Sequence, residues 1–239
     1  GANAGLRTAR GGIVISSSDF NPERIFLDDA IVAPVPAVNV GDRFASVNAV
    51  VDYSFGNFKF LVMNSLTPIP QGLSQEITTL LGTSDRLTVS SFNVENLAPT
   101  DPSSKFAGLG DAVVNRLRSP DIIAVEEIQD NSGATNDGVV DATTTFDLLI
   151  SAIRTAGGPT YAFRNINPVD GQDGGQPGGN IRVGFLFNPA RVTFVDRPGG
   201  TSTSGTTALN GPTGPQLSVS PGRIDPLNPA FTDSRKPLA

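Results

Sequence analysis

The sequence predicts an α/β (α+β) protein in two parts, a small β segment followed by a larger region of alternating strands and helices. Three observations predict it. Short strand-like runs separated by turn residues fill the stretch from about Gly11 to Phe60. Ile122-Ile123-Ala124-Val125 is an unbroken apolar run after Pro120-Asp121, the mark of a strand buried on both faces. On either side of it, apolar residues recur at helical spacing, and strand, helix, strand, helix, strand is the order of layered α/β proteins.

In the first part the expected strands are Ile13-Val14-Ile15, Arg24 to Leu27, Phe44 to Tyr53 and Phe58 to Val62, punctuated by Gly41-Asp42 and Gly56-Asn57. Tyr53 to Phe60 alternates aromatic and polar residues across Gly56-Asn57, which predicts a hairpin with one buried face. The segment has room for a small barrel. Around Pro68 and Pro70 the pattern weakens, so residues 1–66 are expected to form a β domain, 67–84 a linker and 85–239 the second domain.

The second domain opens with a strand from Leu87 to Phe92. A helix from Lys105 to Leu117 follows, with Phe106, Leu109, Val113 and Leu117 on one stripe and Ser103 or Ser104 as its cap. After the apolar strand, Phe146, Leu149, Ile150 and Ile153 share a face of a second helix, and strands are expected near Tyr161 to Ile166 and Ile181 to Phe187. Gly171 to Gly179 and Pro198 to Gly222 are low in complexity and read as flexible surface connections. The paired glycines there lack the Gly-Lys-Ser/Thr of a nucleotide P-loop.

Composition narrows the chemistry. With no cysteine and no histidine, the chain has no thiol nucleophile, no thiolate or histidine zinc site and no Ser-His-Asp catalysis, so hydrolysis must rest on carboxylates and hard metals or borrow a histidine. The net charge of −6 argues against a broad electrostatic surface for nucleic acid, although an enzyme that grips phosphate through a metal and a few arginines needs none. Lysine occurs only as Lys59, Lys105 and Lys236, whereas arginine, suited to bidentate phosphate contacts, is common. No apolar run approaches the roughly 18 residues of a membrane span. Small residues at Gly1-Ala2-Asn3-Ala4 fit a mature end left by signal-peptide cleavage, and hence an extracellular or cell-surface protein.

Four segments carry the chemistry: Ser91-Phe92-Asn93-Val94-Glu95-Asn96-Leu97, Pro120 to Asp130 with Glu126-Glu127, Gly179-Asn180-Ile181-Arg182-Val183-Gly184-Phe185-Leu186-Phe187, and Asp233-Ser234-Arg235-Lys236-Pro237-Leu238. Polar side chains where buried strands emerge are held rigidly at the sheet edge, where open α/β sheets bind their ligands. Glu127 is placed to offer oxygen to a hard cation, and Asn93 to hold a phosphate oxygen or a metal-bound water without adding charge. The structural alternatives are that Asn93 caps a turn and that Glu127 pairs with an arginine. Asp130 and Glu95 are expected to brace the site or face solvent.

Taken together, the four segments resemble the endonuclease/exonuclease/phosphatase (deoxyribonuclease I-like) family over about Leu87 to Ala239. The resemblance implies the N-terminal part of a four-layer α/β/β/α sandwich, with Asn93 and Glu127 at a divalent metal, Mg²⁺ (or Mn²⁺ or Ca²⁺), and the scissile phosphate. Arg235, and Arg182 with it, would approach a substrate phosphate. Glu126 stands where the family usually has a neutral residue, and alternation turns it to the opposite face. The family's histidine after the arginine segment, its Asp-x-Asn pair and its terminal Asp-His pair do not occur in this sequence. An incomplete domain follows as an expectation, inactive alone and exposing an apolar sheet face that its own missing part or another chain would cover. The first segment, with Asn21-Pro22-Glu23-Arg24-Ile25 and Asn39-Val40-Gly41-Asp42, looks like the OB-like domain that precedes this hydrolase in large secreted bacterial nucleases. There Tyr53, Phe55, Phe58 and Lys59 are the candidates for nucleic-acid contact. The expected activity is therefore a metal-dependent extracellular nuclease. The alternatives are a phosphatase on a small or lipid phosphate and a non-catalytic surface or assembly protein.

Overall fold

The structure, a computed structural model, describes residues 17–18 and 25–239, so the expected strand Ile13-Val14-Ile15 and the whole of Asn21 to Arg24 lie outside the described residues. The chain divides into two compact units, Gly1–Gln75 and Glu76–Ala239.

In the first unit, strands β1 (Phe26–Asp28), β2 (Ala49–Ser54) and β3 (Asn57–Val62) form a sheet in the order β1-β3-β2, with β1 parallel and β2 antiparallel to β3. Among the described residues this sheet is open rather than a closed barrel. The hairpin turn is Phe55-Gly56, one residue earlier than expected. Both residues have positive φ (50° and 73°), the backbone that two-residue hairpins with matching twist require. Asn57 starts β3 instead, its amide donating to the Phe55 carbonyl at 2.8 Å. This register sets Tyr53 opposite Phe58, and a slip of one strand by one residue would turn one of the two rings to the other face. The expected linker begins inside this unit, because Arg43 and Ile69 exchange backbone hydrogen bonds of 3.1 and 2.7 Å and Asp42 accepts the Gln71 N–H at 2.9 Å.

The second unit is built on a mixed sheet of strands β4 (Val89–Leu97), β5 (Ile122–Ile128), β6 (Ala162–Asn165) and β7 (Arg182–Phe187) in the order β4-β5-β7-β6. Only the β4–β5 pair is parallel. Helices α1 (Ser103–Asp111), which continues as a π-helical turn over Ala112–Arg116, and α2 (Thr143–Thr155) cover one face. Phe146, Leu149 and Ile153 on α2 and Phe106 and Val113 on the first helical segment bury against Val94, Ile123, Val125 and Leu186. The helix stripes expected from periodicity are these. The expected serine cap is not: Pro102 precedes the helix, and Ser103 and Ser104 lie within its first turn. Asp101 takes the local polar role, accepting the Ala98 N–H at 2.9 Å and pairing with Lys105 at 3.0 Å.

Two glycines set the packing distance. A Cβ on Gly110 would meet the Ala152 carbonyl at 2.6 Å, and one on Gly184 would meet the Phe146 ring at 2.7 Å. Phe146 is fully buried and stacked on Phe163 at 4.5 Å, so its ring has no open space to retreat into. Gly184→Ala is expected to lower stability by about 1–3 kcal/mol through overpacking, read from the urea midpoint. An unchanged midpoint would show that the ring yields freely.

The opposite face of this sheet lacks helices among the described residues. Val89 stands 69% exposed there, while Phe187 is shielded by Phe194 at 5.7 Å, with the Arg164 guanidinium over both rings. The stretch Pro198 to Gly222, expected to be structureless, contains a hairpin of strands β8 (Ala208–Gly211) and β9 (Gly214–Leu217). Its apolar content is too low for a periodic signal. Hydroxyl bonds organise it instead, with Thr206 Oγ1 donating to the Val219 carbonyl at 2.8 Å and Ser218 Oγ accepting the Thr207 N–H at 3.0 Å.

Candidate active site

Regular pairing alone does not bring Asn93 and Glu127 together. Asn93 of β4 is in register with Glu126 of β5, so strict alternation would turn Glu127 to the helix side. The register shifts immediately afterwards in both strands, between Asn93 and Leu97 and between Val125 and Ile128. Glu95, Asn96 and Glu127 adopt left-handed φ values of 57°, 52° and 68° in these bulges. Such conformations carry a cost of order 1–3 kcal/mol each and persist where surrounding structure enforces them. Their effect is to re-aim the Glu127 carboxylate, as bulges at sheet rims do.

The result is a compact polar cluster. Asn93 Nδ2 donates to Glu127 Oε1 at 2.8 Å, and the Asn96 backbone N–H donates to Glu127 Oε2 at 3.1 Å. Arg235 Nη1 completes it, 3.3 Å from the same Oε1. Asn93 Oδ1 accepts the Glu95 N–H at 2.8 Å, which fixes the amide's orientation. Both structural alternatives raised by the sequence are thus also realised: Asn93 braces a turn and Glu127 pairs with an arginine. Glu126 stays apart, accepting the Ser91 hydroxyl.

Arg235 is delivered by the glycine-rich loop and by Lys236. A Cβ on Gly174 would lie 1.6 Å from the Asp233 carbonyl oxygen, and one on Gly175 would lie 3.7 Å from Arg235 Nη1, so the loop is a packed seat rather than a flexible connection. Lys236 donates to the carbonyls of Phe231, Ser234 (2.9 Å) and Gln172 (3.4 Å), clamping the turn against that loop. Beneath them the Arg223–Asp173 pair, at 2.8 Å, is almost completely buried. The sequence offered little sign of Asn96, Asp173 or Lys236. For Asn96 the available signal was an asparagine, the non-glycine residue most at ease in left-handed backbone, at the end of a strand.

Arg182 does not join the cluster. It is 1% exposed, and its guanidinium donates to Asn167 Oδ1 at 2.7 Å and to the Asn180 carbonyl at 3.0 Å. Burial pushes it down to about 10 against the pull of Asp130 and Asp141, which leaves it cationic at neutral pH. The Arg182 expected at a substrate phosphate is instead buried and orders neighbouring amides. Asp130 is a brace, accepting Asn180 Nδ2 at 3.0 Å and the Ser132 hydroxyl at 2.9 Å.

In the first unit, Tyr53 and Phe58 lie 4.9 Å apart on one face of the hairpin, and Phe55 at the turn is 93% exposed. Lys59 Nζ sits 5.4 Å from the Phe55 ring, but its charge is paired with Asp28 at 2.9 Å.

As a metal site, the cluster offers one carboxylate and one amide. No group of three or more carboxylates able to hold a metal occurs among the described residues. That is short of the six to eight oxygens of Ca²⁺ but compatible with Mg²⁺ or Mn²⁺, which keep several waters beside one or two carboxylates and substrate phosphate. No described helix is long and apolar enough to cross a membrane. Residues 1–71 match a family described as a domain of unknown function (DUF8508), a match that ends before the unit carrying Asn93, Glu127 and Arg235. No curated protein and no solved structure matches the chain.

Proposed function

We propose that the chain supplies the metal and phosphate ligands of a divalent-metal-dependent phosphodiester hydrolase of the endonuclease/exonuclease/phosphatase type, acting on DNA or RNA outside the cell. The observation that carries this reading is the convergence of Asn93 and Glu127 to 2.8 Å through two strained bulges, with an arginine beside them. Glu127 is the anionic ligand for Mg²⁺ or Mn²⁺, which when bound polarises a phosphate and its attacking water. Asn93 holds the carboxylate in place and offers an uncharged amide to a polyanion. Arg235 turns from Glu127 to a phosphate oxygen when substrate enters, a charge-assisted contact. With no histidine in the chain, the water-activating base comes from outside these residues, and the chain by itself is inactive.

The same reading makes the second unit half of a four-layer sandwich, its bare sheet face covered by a further part of the protein or another chain. It makes the first unit OB-like, with Tyr53, Phe55 and Phe58 offering ring faces to bases beside Lys59. A non-catalytic role has one observation in its favour, since both Glu127 oxygens are already satisfied within the chain.

Isothermal titration with Mn²⁺ separates the two. The hydrolase reading expects binding by the wild-type chain that Glu127→Gln reduces at least about tenfold with the fold intact. Absence of Mn²⁺ binding, or binding indifferent to that substitution, refutes it.

A further inference from the structure

The cavity at the end of β6 is donor-rich and unassigned. It measures about 580 Å³ and is lined by Asn165, Asn167, Arg197, Ser202 and Ser220, with Ile166, Pro198 and Pro221 as apolar walls. Its carboxylates are already engaged. Asp196 is held by Arg164 through two hydrogen bonds of 2.8 and 2.6 Å, and Asp141 by Asn131 at 2.6 Å and the Thr143 hydroxyl at 2.9 Å. The donors are not. Arg197 makes no side-chain ion pair or hydrogen bond among the described residues, although its backbone is fixed against Ser220 at 2.8 and 2.9 Å. The buried Arg182 takes the Asn167 amide oxygen at 2.7 Å and approaches that of Asn165 at 3.5 Å, which leaves both NH₂ groups unspent. A buried guanidinium thus orients two amides at the wall of an open cavity, where their NH₂ groups are free to donate to a ligand in place of water.

Position ties this cavity to Glu127. Strands β5 and β6 both run antiparallel to β7, so Ile128 and Asn165 end at the same rim, separated by one intervening strand. Ile128 pairs with Arg182 and Asn165 with Gly184, so two strand spacings and a two-residue stagger put their backbones about 12 Å apart. A small phosphoester at Glu127 does not reach that far, but the next stretch of a sugar-phosphate strand does.

We propose that this cavity is a second subsite, holding the phosphate and sugar of a nucleotide flanking the one bound at Glu127, so that the substrate is a polynucleotide strand rather than a small or lipid phosphate. The proposal rests on the hydrolase reading above. Arg197 contacts the flanking phosphate, the Asn165 and Asn167 amides contact sugar and base-edge acceptors, and the serine hydroxyls complete the shell.

The test is fluorescence anisotropy of the 239-residue chain with a labelled single-stranded oligonucleotide of about ten nucleotides. Binding of thymidine 5′-monophosphate and Mn²⁺ is measured in parallel. Arg197→Ala and Asn167→Ala are each expected to weaken oligonucleotide binding about tenfold, with Mn²⁺ and mononucleotide binding unchanged. Arg197→Ala should also lower the salt dependence by about one phosphate contact, and Arg197→Lys should restore that slope but not the full affinity. The subsite is overturned if the wild type does not bind the oligonucleotide, if both variants bind it as the wild type does, or if mononucleotide binding falls equally. Failure of the hydrolase reading has its own signature, loss of Mn²⁺ binding by the wild type. Circular dichroism confirms that the variants fold.

Discussion

Asp173→Ala is expected to lower the stability of the second unit by about 3–5 kcal/mol, the cost of leaving a buried charge without its partner. Arg223 has almost no contact with water, and Asp173 is its only carboxylate partner among the described residues, at 2.8 Å. Among the described residues its remaining bond is to the Ile166 carbonyl at 3.2 Å, and its Nε has no partner. Water cannot replace the lost carboxylate without opening the loop. Asp173→Asn restores one hydrogen bond but not the charge, and falls between. Urea unfolding followed by Tyr161 in a Tyr53→Phe background isolates the second unit, since these are the chain's two tyrosines, it has no tryptophan, and Tyr161 is buried with its hydroxyl on the Pro120 carbonyl. A loss below about 1 kcal/mol would mean that the pair is hydrated in solution.

Much of the second unit was legible because burial and period coincide there. Ile122 to Val125 is apolar throughout and became one of the two inner strands, and Phe146, Leu149 and Ile153 became the buried stripe of α2. Strand ends were legible for the same reason, so Asn93 and Glu127 stood out as polar residues where apolar runs stop. How they meet was not. Alternation pairs Asn93 with Glu126, and only the left-handed bulges at Glu95, Asn96 and Glu127 reverse this. A bulge is chosen by tertiary context, and none of these residues is glycine to announce it.

Arg182 was set beside a phosphate by resemblance, and the glycine-rich segments were read as flexible from their composition. Arginine beside apolar residues looks the same whether it faces a substrate or a buried acidic neighbourhood. In this fold Asp130 and Asp141 come from the connection between β5 and α2 and Asn167 from the one after β6, two loops that the sequence does not connect. Glycine runs look flexible when their neighbours are unknown. Gly174 and Gly178 are packed on the backbones of Asp233 and of Ala134 and Asn136, contacts that a side chain would prevent.

That packing makes Gly174→Ala the most informative change near the site. The new methyl would lie 1.6 Å from the Asp233 carbonyl oxygen, a backbone atom, so the 233–236 turn must move outward as a body. Overpacking of this kind costs about 1–3 kcal/mol. The turn carries Arg235, whose reach to Glu127 is already long at 3.3 Å, so any outward shift breaks that pair. Glu127 then loses a cation that competes with Mn²⁺ for Oε1. The pair is partly exposed and worth no more than about 1 kcal/mol, so Mn²⁺ affinity is expected to rise by up to about fivefold while oligonucleotide affinity falls. Arg235→Met, which keeps the side-chain stem but not the charge, should reproduce both binding changes at little cost in stability. If Gly174→Ala destabilises the unit while Mn²⁺ titration gives wild-type affinity for both variants, the arginine does not guard the carboxylate, and its place beside Glu127 is structural.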